Sequence, residues 1–396
     1  MLNAETPATS KRIYMPPRVP QRSDGANADI QIRVATNAQD FQRLRPSWDA
    51  VVKACDYAPL HVTSPWIARW WDCFGGGGDA ELLTVLLEDD VGAFGLAPLL
   101  RARMRIGPLP IDTLRLIGND VSARNEIIFT RRKSAGWQAL YRYLQPLSWQ
   151  FFDYGWGRAE AADRLAFIED PWPGTVQLRQ ALELPLVSLT SSWDDWSAQK
   201  SRTFRKSLRK AEEKCADLRV LRFPHDFDDI DRLLSWLEIV ASNSWSFAAG
   251  TSIASAGATR AFFEGLLRDY HAQGAALASL LLDGRKPLAF AFGVAFRDHV
   301  YGLKTSFRAD TSDRSLGTRV MADFVASCML NRDCSTLDMD CITPHSEYKR
   351  RWANELVSVI EQRVFRPRPL SRLLSAVYAR RRRVAAAAPV IAKPEA

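Results

Sequence analysis

The chain has 396 residues, 47% of them hydrophobic and 25% charged, as expected of a soluble globular protein long enough for two ordinary domains. Its formal net charge is +8, but residues 366–396 hold eight basic side chains against Glu395 alone, which leaves +1 on residues 1–365 and disfavours a general polyanion-binding surface or a nucleic-acid partner. The six cysteines contain no CxxC pair and the five histidines no ligand spacing, so neither a zinc site nor a disulfide framework is expected.

Residues 1–29 are rich in Pro, Ser, Asn and Ala and lack the apolar core of a secretory signal, so they read as a disordered leader. No run of about 18 apolar residues follows. These features predict a reduced, cytoplasmic, soluble protein.

A strand is expected at Ile30–Ala35, helices at Asp40–Cys55 and Pro65–Cys73, and a break at Gly75–Gly78. The segment ELLTVLLEDDVGAFGLAPLLRA then reads as two strands turning at Asp89-Asp90. It parallels ALASLLLDGRKPLAFAFGVAF further on, where Asp283-Gly284 between apolar runs signals a hairpin. The run Trp149–Gly157 likewise parallels Ser335–Thr343, each ending its apolar alternation near an Asp. Two copies of one α/β unit, joined near Pro185, account for both parallels.

After the junction, Ser192 and Asp195 form a capping-box pattern. In the helix that follows, Phe204, Leu208, Ala211 and Cys215 share one face, and Lys200, Arg202, Arg205, Lys206, Arg209, Lys210 and Lys214 cover the rest. Such a face is either solvated surface or a dock for an acidic substrate or cofactor phosphates. The strand HVYGLKTSF leads through RADTSDRSLGT into the helix RVMADFVASCML. The Ser-Leu-Gly-Thr start leaves backbone N–H groups unpaired at a positive dipole end, which suits a phosphate. The segment closes with STLDMDCITPHSEYKRRW. In the tail, Leu370, Leu373, Leu374, Val377 and Tyr378 fall on one helical face before Arg380–Arg383, a basic amphipathic pattern suited to an anionic membrane surface or a protein partner.

The order LPLVSLTSSW, KSRTFRKSLRK, LLLDG, YGLKTSF, RSLG and DMDCITPHSEYKRRW resembles that of GNAT-fold acyltransferases of the cellulose-biosynthesis-associated (CelD/BcsL-like) branch. That branch is related to the FemAB-type double-GNAT proteins. The resemblance spans Ile30 to Phe365 and is most specific over Leu184–Trp352. It implies an α/β (α+β) fold of two tandem GNAT-like units at 30–185 and 186–366, each a mixed, largely antiparallel sheet flanked by helices, with a basic tail at 367–396.

The resemblance further implies that the C-terminal unit binds acetyl-CoA or another acyl-CoA, with its pyrophosphate on the backbone amides of Arg314, Ser315, Leu316, Gly317 and Thr318. Gly317 is the one glycine of that turn, where simpler GNAT enzymes carry two. Lys304 would face the cofactor.

A thioester is already activated, so the enzyme has to position a nucleophile and move protons. Asp340 is the expected base, with Asp338 on the same face by strand alternation. Tyr348 is the expected acid at sulfur. Lys349 would contact a phosphate or a substrate carboxylate, with Trp352 packed beneath it, and His345 is a further candidate base. Arg205 and Trp245 would meet the acceptor, a small molecule, glycan or lipid-linked sugar. An aminoacyl-tRNA-dependent transferase and a non-catalytic scaffold in exopolysaccharide assembly are the competing expectations.

Overall fold

The computed structural model describes residues 29–387, apart from 78–79, 107–108, 119–120, 122–123, 159–173, 249–251, 256 and 344–345. The expected leader and the last residues of the tail lie outside this range.

The chain opens with β1 (Gln31–Ala35), α1 (Ala38–Ala54) and α2 (Ser64–Phe74). β2 (Ala80–Asp89), β3 (Gly92–Ile106), β4 (Leu109–Leu116), β5 (Ile128–Phe129), α3 (Lys133–Leu144) and β6 (Phe151–Arg158) follow. β7 (Thr175–Ser188) leads to α4 (Trp193–Ala198), α5 (Arg202–Lys214), β8 (Arg219–Phe223), α6 (Ile230–Ser242), α7 (Trp245–Ala248) and α8 (Gly257–His271). Last come β9 (Ala276–Asp283), β10 (Lys286–Phe296), β11 (His299–Phe307), α9 (Leu316–Leu330), β12 (Thr336–Asp338), β13 (Glu355–Phe365) and α10 (Pro369–Ala387).

Local chemistry explains the boundaries. Ser192 caps α4 by accepting from the Asp195 amide at 3.1 Å, and Ser201 caps α5 by accepting from the Phe204 amide at 3.2 Å. Gly284 takes a φ of 57° in the β9–β10 turn, a conformation that suits a residue without a Cβ.

Among the described residues, the thirteen strands lie in one sheet, in the order β1-β2-β3-β4-β6-β13-β7-β12-β11-β10-β9-β8, with β5 paired to β3 off that path. The sheet repeats itself. β1–β4 form an antiparallel meander and β4 then pairs parallel with β6. β8–β11 do the same, and β11 pairs parallel with β12. α3 and α9 make the two crossovers.

The middle of the sheet crosses over. β7 follows β6 in the chain yet pairs with β12, and β13 follows β12 yet pairs with β6. β7 and β13 pair antiparallel with each other from Thr175–Phe365 to Leu186–Glu355. The strand that closes each unit therefore comes from the other part of the chain.

One core joins both units, with Trp48 and Trp66 of α1 and α2 in the same cluster as Leu237 of α6, Phe262 of α8 and Phe292 of β10. A second lies under α4, α5 and α9 on the opposite face of β9–β12. Arg69 of α2 makes two hydrogen bonds to Asp269 of α8 at 2.7 and 2.9 Å, and Thr63 meets the Tyr270 hydroxyl at 2.7 Å. Among the described residues, no helix is long and apolar enough to cross a membrane.

α10 departs from the tail expectation. Leu374 is buried against Ile111, Phe151 and Phe365, whereas Leu373 and Val377 stay 60% and 38% exposed. Successive turns of the helix dock Leu370, Leu374 and Tyr378 on the sheet, because residues four apart share a face. The apolar set predicted to lie together is thus divided between two faces. The side chains of Arg381–Arg383 lie outside the described residues.

Candidate functional site

β11 and β12 pair over only three residues, from His299–Thr336 to Tyr301–Asp338. β11 then runs on to Phe307 while β12 ends, so the two strands part like the arms of a fork. Close backbone approach shapes this fork. A Cβ at Gly293, beside a bulge in β10, would lie 2.4 Å from the Tyr301 carbonyl oxygen, and one at Gly302 would lie 3.2 Å from that of Asp338.

A cleft of about 470 Å³ opens between the arms. Phe290, Phe292, Met321 and Phe324 line it on the apolar side; Lys304, Asp340, Tyr348 and Lys349 bring charge and a phenol to it. The structure thus gathers four of the sequence-predicted residues in one place.

Lys304 lies with its ammonium 5.3 Å from the Phe263 ring centroid. Burial lowers its pKa, with Asp340 opposing and Lys349 reinforcing the shift. Tyr348, although 40% exposed, has its phenol held above the ordinary value by burial, against a smaller pull from Arg351. The turn carrying Tyr348 and Lys349 is anchored by Trp352, which is 1% exposed. Its amide donates to the Lys349 carbonyl at 3.0 Å, and its ring stacks on Trp196 with centroids 5.9 Å apart.

Asp340, two residues beyond the end of β12, takes a left-handed conformation, with φ 63°. This breaks the alternation that would have put Asp338 and Asp340 on one face. The Asp340 amide donates to Asp338 Oδ1 at 2.9 Å, and Asp340 Oδ1 accepts from the Cys341 amide at 2.8 Å. Asp338 itself is 1% exposed and ion-paired with Arg124 of the first unit. Burial pushes the Asp338 carboxyl up, but Arg124 and the hydrogen bond from the Asp340 amide prevail, so its pKa is lowered. Burial lifts the adjacent Cys341 thiol to about 12.

The predicted phosphate turn stands at the start of α9, outside the residues that line the cleft. Gly317 shares a helix face with Met321 and Phe324 and packs on Phe307, which a Cβ would approach to 3.0 Å. Ser315 takes φ 62°, and its carbonyl accepts from the Thr318 and Arg319 amides at 3.1 Å. The Leu316 side chain is buried in the core, so only its backbone can face a ligand. The Arg314 guanidinium donates to the Lys214 carbonyl at 3.0 Å and pairs with Asp217, tying the turn to the end of α5.

Arg205 is exposed on α5 and donates to the Ala198 carbonyl at 3.2 Å, away from the cleft lining. The Trp245 side chain and His345 lie outside the described residues. Ser246 and Ser252, which line the cleft from the α7 side, carry no sequence motif. Arg124 and His61 were also missed, because isolated polar residues in a loop and a 3-10 turn show no periodicity. Among the described residues, no group of His, Cys, Asp and Glu could hold a metal ion.

Residues 199–350, which contain the fork and the cleft, match the acetyltransferase (GNAT) domain family model. No curated protein matches the sequence. Among solved structures, FemX superposes at 12% identity over 87% of this chain and 99% of its own, with a TM-score of 0.58. A conserved protein of unknown function from Bacteroides thetaiotaomicron VPI-5482 does so at 11% identity over 85% and 100%, with a TM-score of 0.54. Both likenesses are of fold.

Proposed function

We propose, from the premise that residues 199–350 form a GNAT acetyltransferase domain, that this chain is an acyltransferase using acetyl-CoA or a longer acyl-CoA. Its acceptor is an amine or hydroxyl of a glycan, lipid-linked sugar or amino-sugar precursor, as the CelD/BcsL-like resemblance implies. The observation that carries this reading is the fork between β11 and β12, which opens a cleft holding Asp340, Tyr348 and Lys304 together.

The thioester arm lies along the open edge of β11, with its phosphates at the α9 start and the basic end of α5 beyond. Asp340 takes the proton from the nucleophile as it attacks the thioester carbonyl carbon. The new C–N or C–O bond forms, the C–S bond breaks, and Tyr348 protonates the departing thiolate. A phenol whose pKa lies above the ordinary value is protonated at neutral pH and available for that transfer. Contact with an anionic membrane surface, in a cytoplasmic setting, falls to the exposed Leu373, Val377 and Arg380 of α10.

A second reading keeps the fold and takes aminoacyl-tRNA as donor. It is favoured by the exposed basic face of α5, with Arg202, Arg205, Lys206, Arg209, Lys210 and Lys214. Calorimetric titration with free CoA, acetyl-CoA, octanoyl-CoA and an aminoacyl-tRNA separates the two. CoA binding that Gly317→Trp abolishes supports the acyl-CoA enzyme; tRNA binding without CoA binding replaces it with the second reading. Binding of neither leaves a scaffold.

A further inference from the structure

We propose that Arg124, a residue of the first unit that does not line the cleft, is the positioning residue that holds Asp340 in its reactive place in the second. This rests on the reading of Asp340 as the base.

Arg124 and Asp338 are 5% and 1% exposed and pair through Asp338 Oδ2. The other oxygen of the same carboxylate, Oδ1, accepts from the Asp340 amide at 2.9 Å. Asp340 needs that bond. Its φ of 63° is a region that residues with a Cβ seldom occupy. On either side the backbone is fixed by β7, with the Met339 amide donating to the Pro185 carbonyl at 3.2 Å and the Ile342 amide to the Glu183 carbonyl at 2.8 Å. Between those two anchors, the Asp338 carboxylate supplies the acceptor that keeps Asp340 turned into the cleft.

Without Arg124, Asp338 is an uncompensated buried carboxylate and takes up a proton. A neutral acid is a weaker acceptor for the Asp340 amide, so residue 340 relaxes toward extended backbone and its carboxylate leaves the cleft. His61, Arg158, Tyr301, Asp340 and Cys341 also lie within electrostatic reach of this pair. Buried His61 is neutral, and Arg158 is the lesser of the two cationic influences on Asp338; neither replaces the guanidinium.

The test compares full-length wild type with Arg124→Met, Arg124→Lys, Asp340→Asn and the double variant Arg124→Met/Asp338→Asn. In the crystal structure of Arg124→Met, Asp340 is expected outside the left-handed region; an unchanged Asp340 overturns the proposal. Thiol release from acetyl-CoA, with glucosamine as probe acceptor, is expected to fall in kcat by about tenfold or more, with KM for acetyl-CoA within about twofold. Low-millimolar guanidinium should restore rate.

The double variant keeps an amide oxygen at 338 and leaves no lone buried charge, so it should outperform Arg124→Met. Wild-type kcat in Arg124→Met overturns the proposal. If Asp340→Asn turns over normally, the assignment of the base fails instead, and the crystallographic comparison alone judges Arg124. Should Arg124→Met not fold, Arg124→Lys and the double variant make the same comparisons.

Discussion

His61 stands edge-on to Trp66, with ring centroids 4.7 Å apart and planes at 77°. Burial, reinforced by the charge of Arg124 and opposed by Asp338, holds its imidazole pKa at about 3. The unfolded chain titrates near the ordinary 6.5. Between these values the unfolded state binds a proton that the folded state refuses, so stability rises with pH across that window and is lost as pH falls through it. At pH 5 the cost is about 2 kcal/mol. Urea unfolding of wild type and His61→Phe at pH 5 and 7 should show a pH difference smaller by this amount in the variant; equal differences would contradict it.

Asp340→Asn should lower kcat by roughly 10²–10⁴-fold while KM for the donor changes little, the range for losing a general base. Tyr348→Phe should cost about tenfold or more by the same logic. The acid form of Tyr348 is the useful one and its pKa is raised, so activity should persist to about pH 10 and fall only above it. Steady-state profiles of both variants check this, and intact turnover in both removes the two residues from the mechanism.

Gly293 and Gly302 make graded demands. A Cβ at Gly293 would sit 2.4 Å from a backbone oxygen that the β10–β11 ladder holds, while one at Gly302 would sit at 3.2 Å. Gly293→Ala should therefore destabilise by about 2–3 kcal/mol and Gly302→Ala by less. Thermal melts rank them; equal melting temperatures would show that the fork yields to the extra methyl.

In α10, Leu374→Ala should destabilise by about 2–4 kcal/mol, since it empties a buried position, whereas Leu373→Ala should leave stability unchanged. If α10 meets anionic vesicles, the second substitution weakens co-sedimentation and the first does so only through unfolding. The reverse pattern would place the contact elsewhere.

Much of this molecule was legible in its sequence where the cause is local. The Asp283-Gly284 turn, the Ser192 cap and the buried face of α5 at Phe204 and Ala211 all rest on neighbours within a few residues, and all are present, although Ser192 starts the separate short α4 and Ser201 caps α5 in its place. The repeated hairpins foretold two units of one kind. Lys304, Asp340, Tyr348 and Lys349 share a cleft because they lie along one contiguous strand–turn–helix–strand block of the chain.

What escaped depends on distant partners. The exchange of β7 and β13 pairs Thr175 with Phe365, a register that no local pattern encodes. Period-2 alternation failed at Asp340 because β12 stops at Asp338 and the chain turns left-handed two residues on, a conformation that we ascribe to Arg124 acting through Asp338.

The exchanged strands also bear on how the protein is made. A ribosome delivers the first unit in full before it reaches Glu355–Phe365, yet β6 has no neighbour on that side until those residues arrive. Until then the nascent chain carries an open strand edge of the kind that invites pairing with other chains. A late stop codon that removes β13 would strip both β6 and β7 of a partner, so the loss would reach the earliest-made part of the molecule as well as the last.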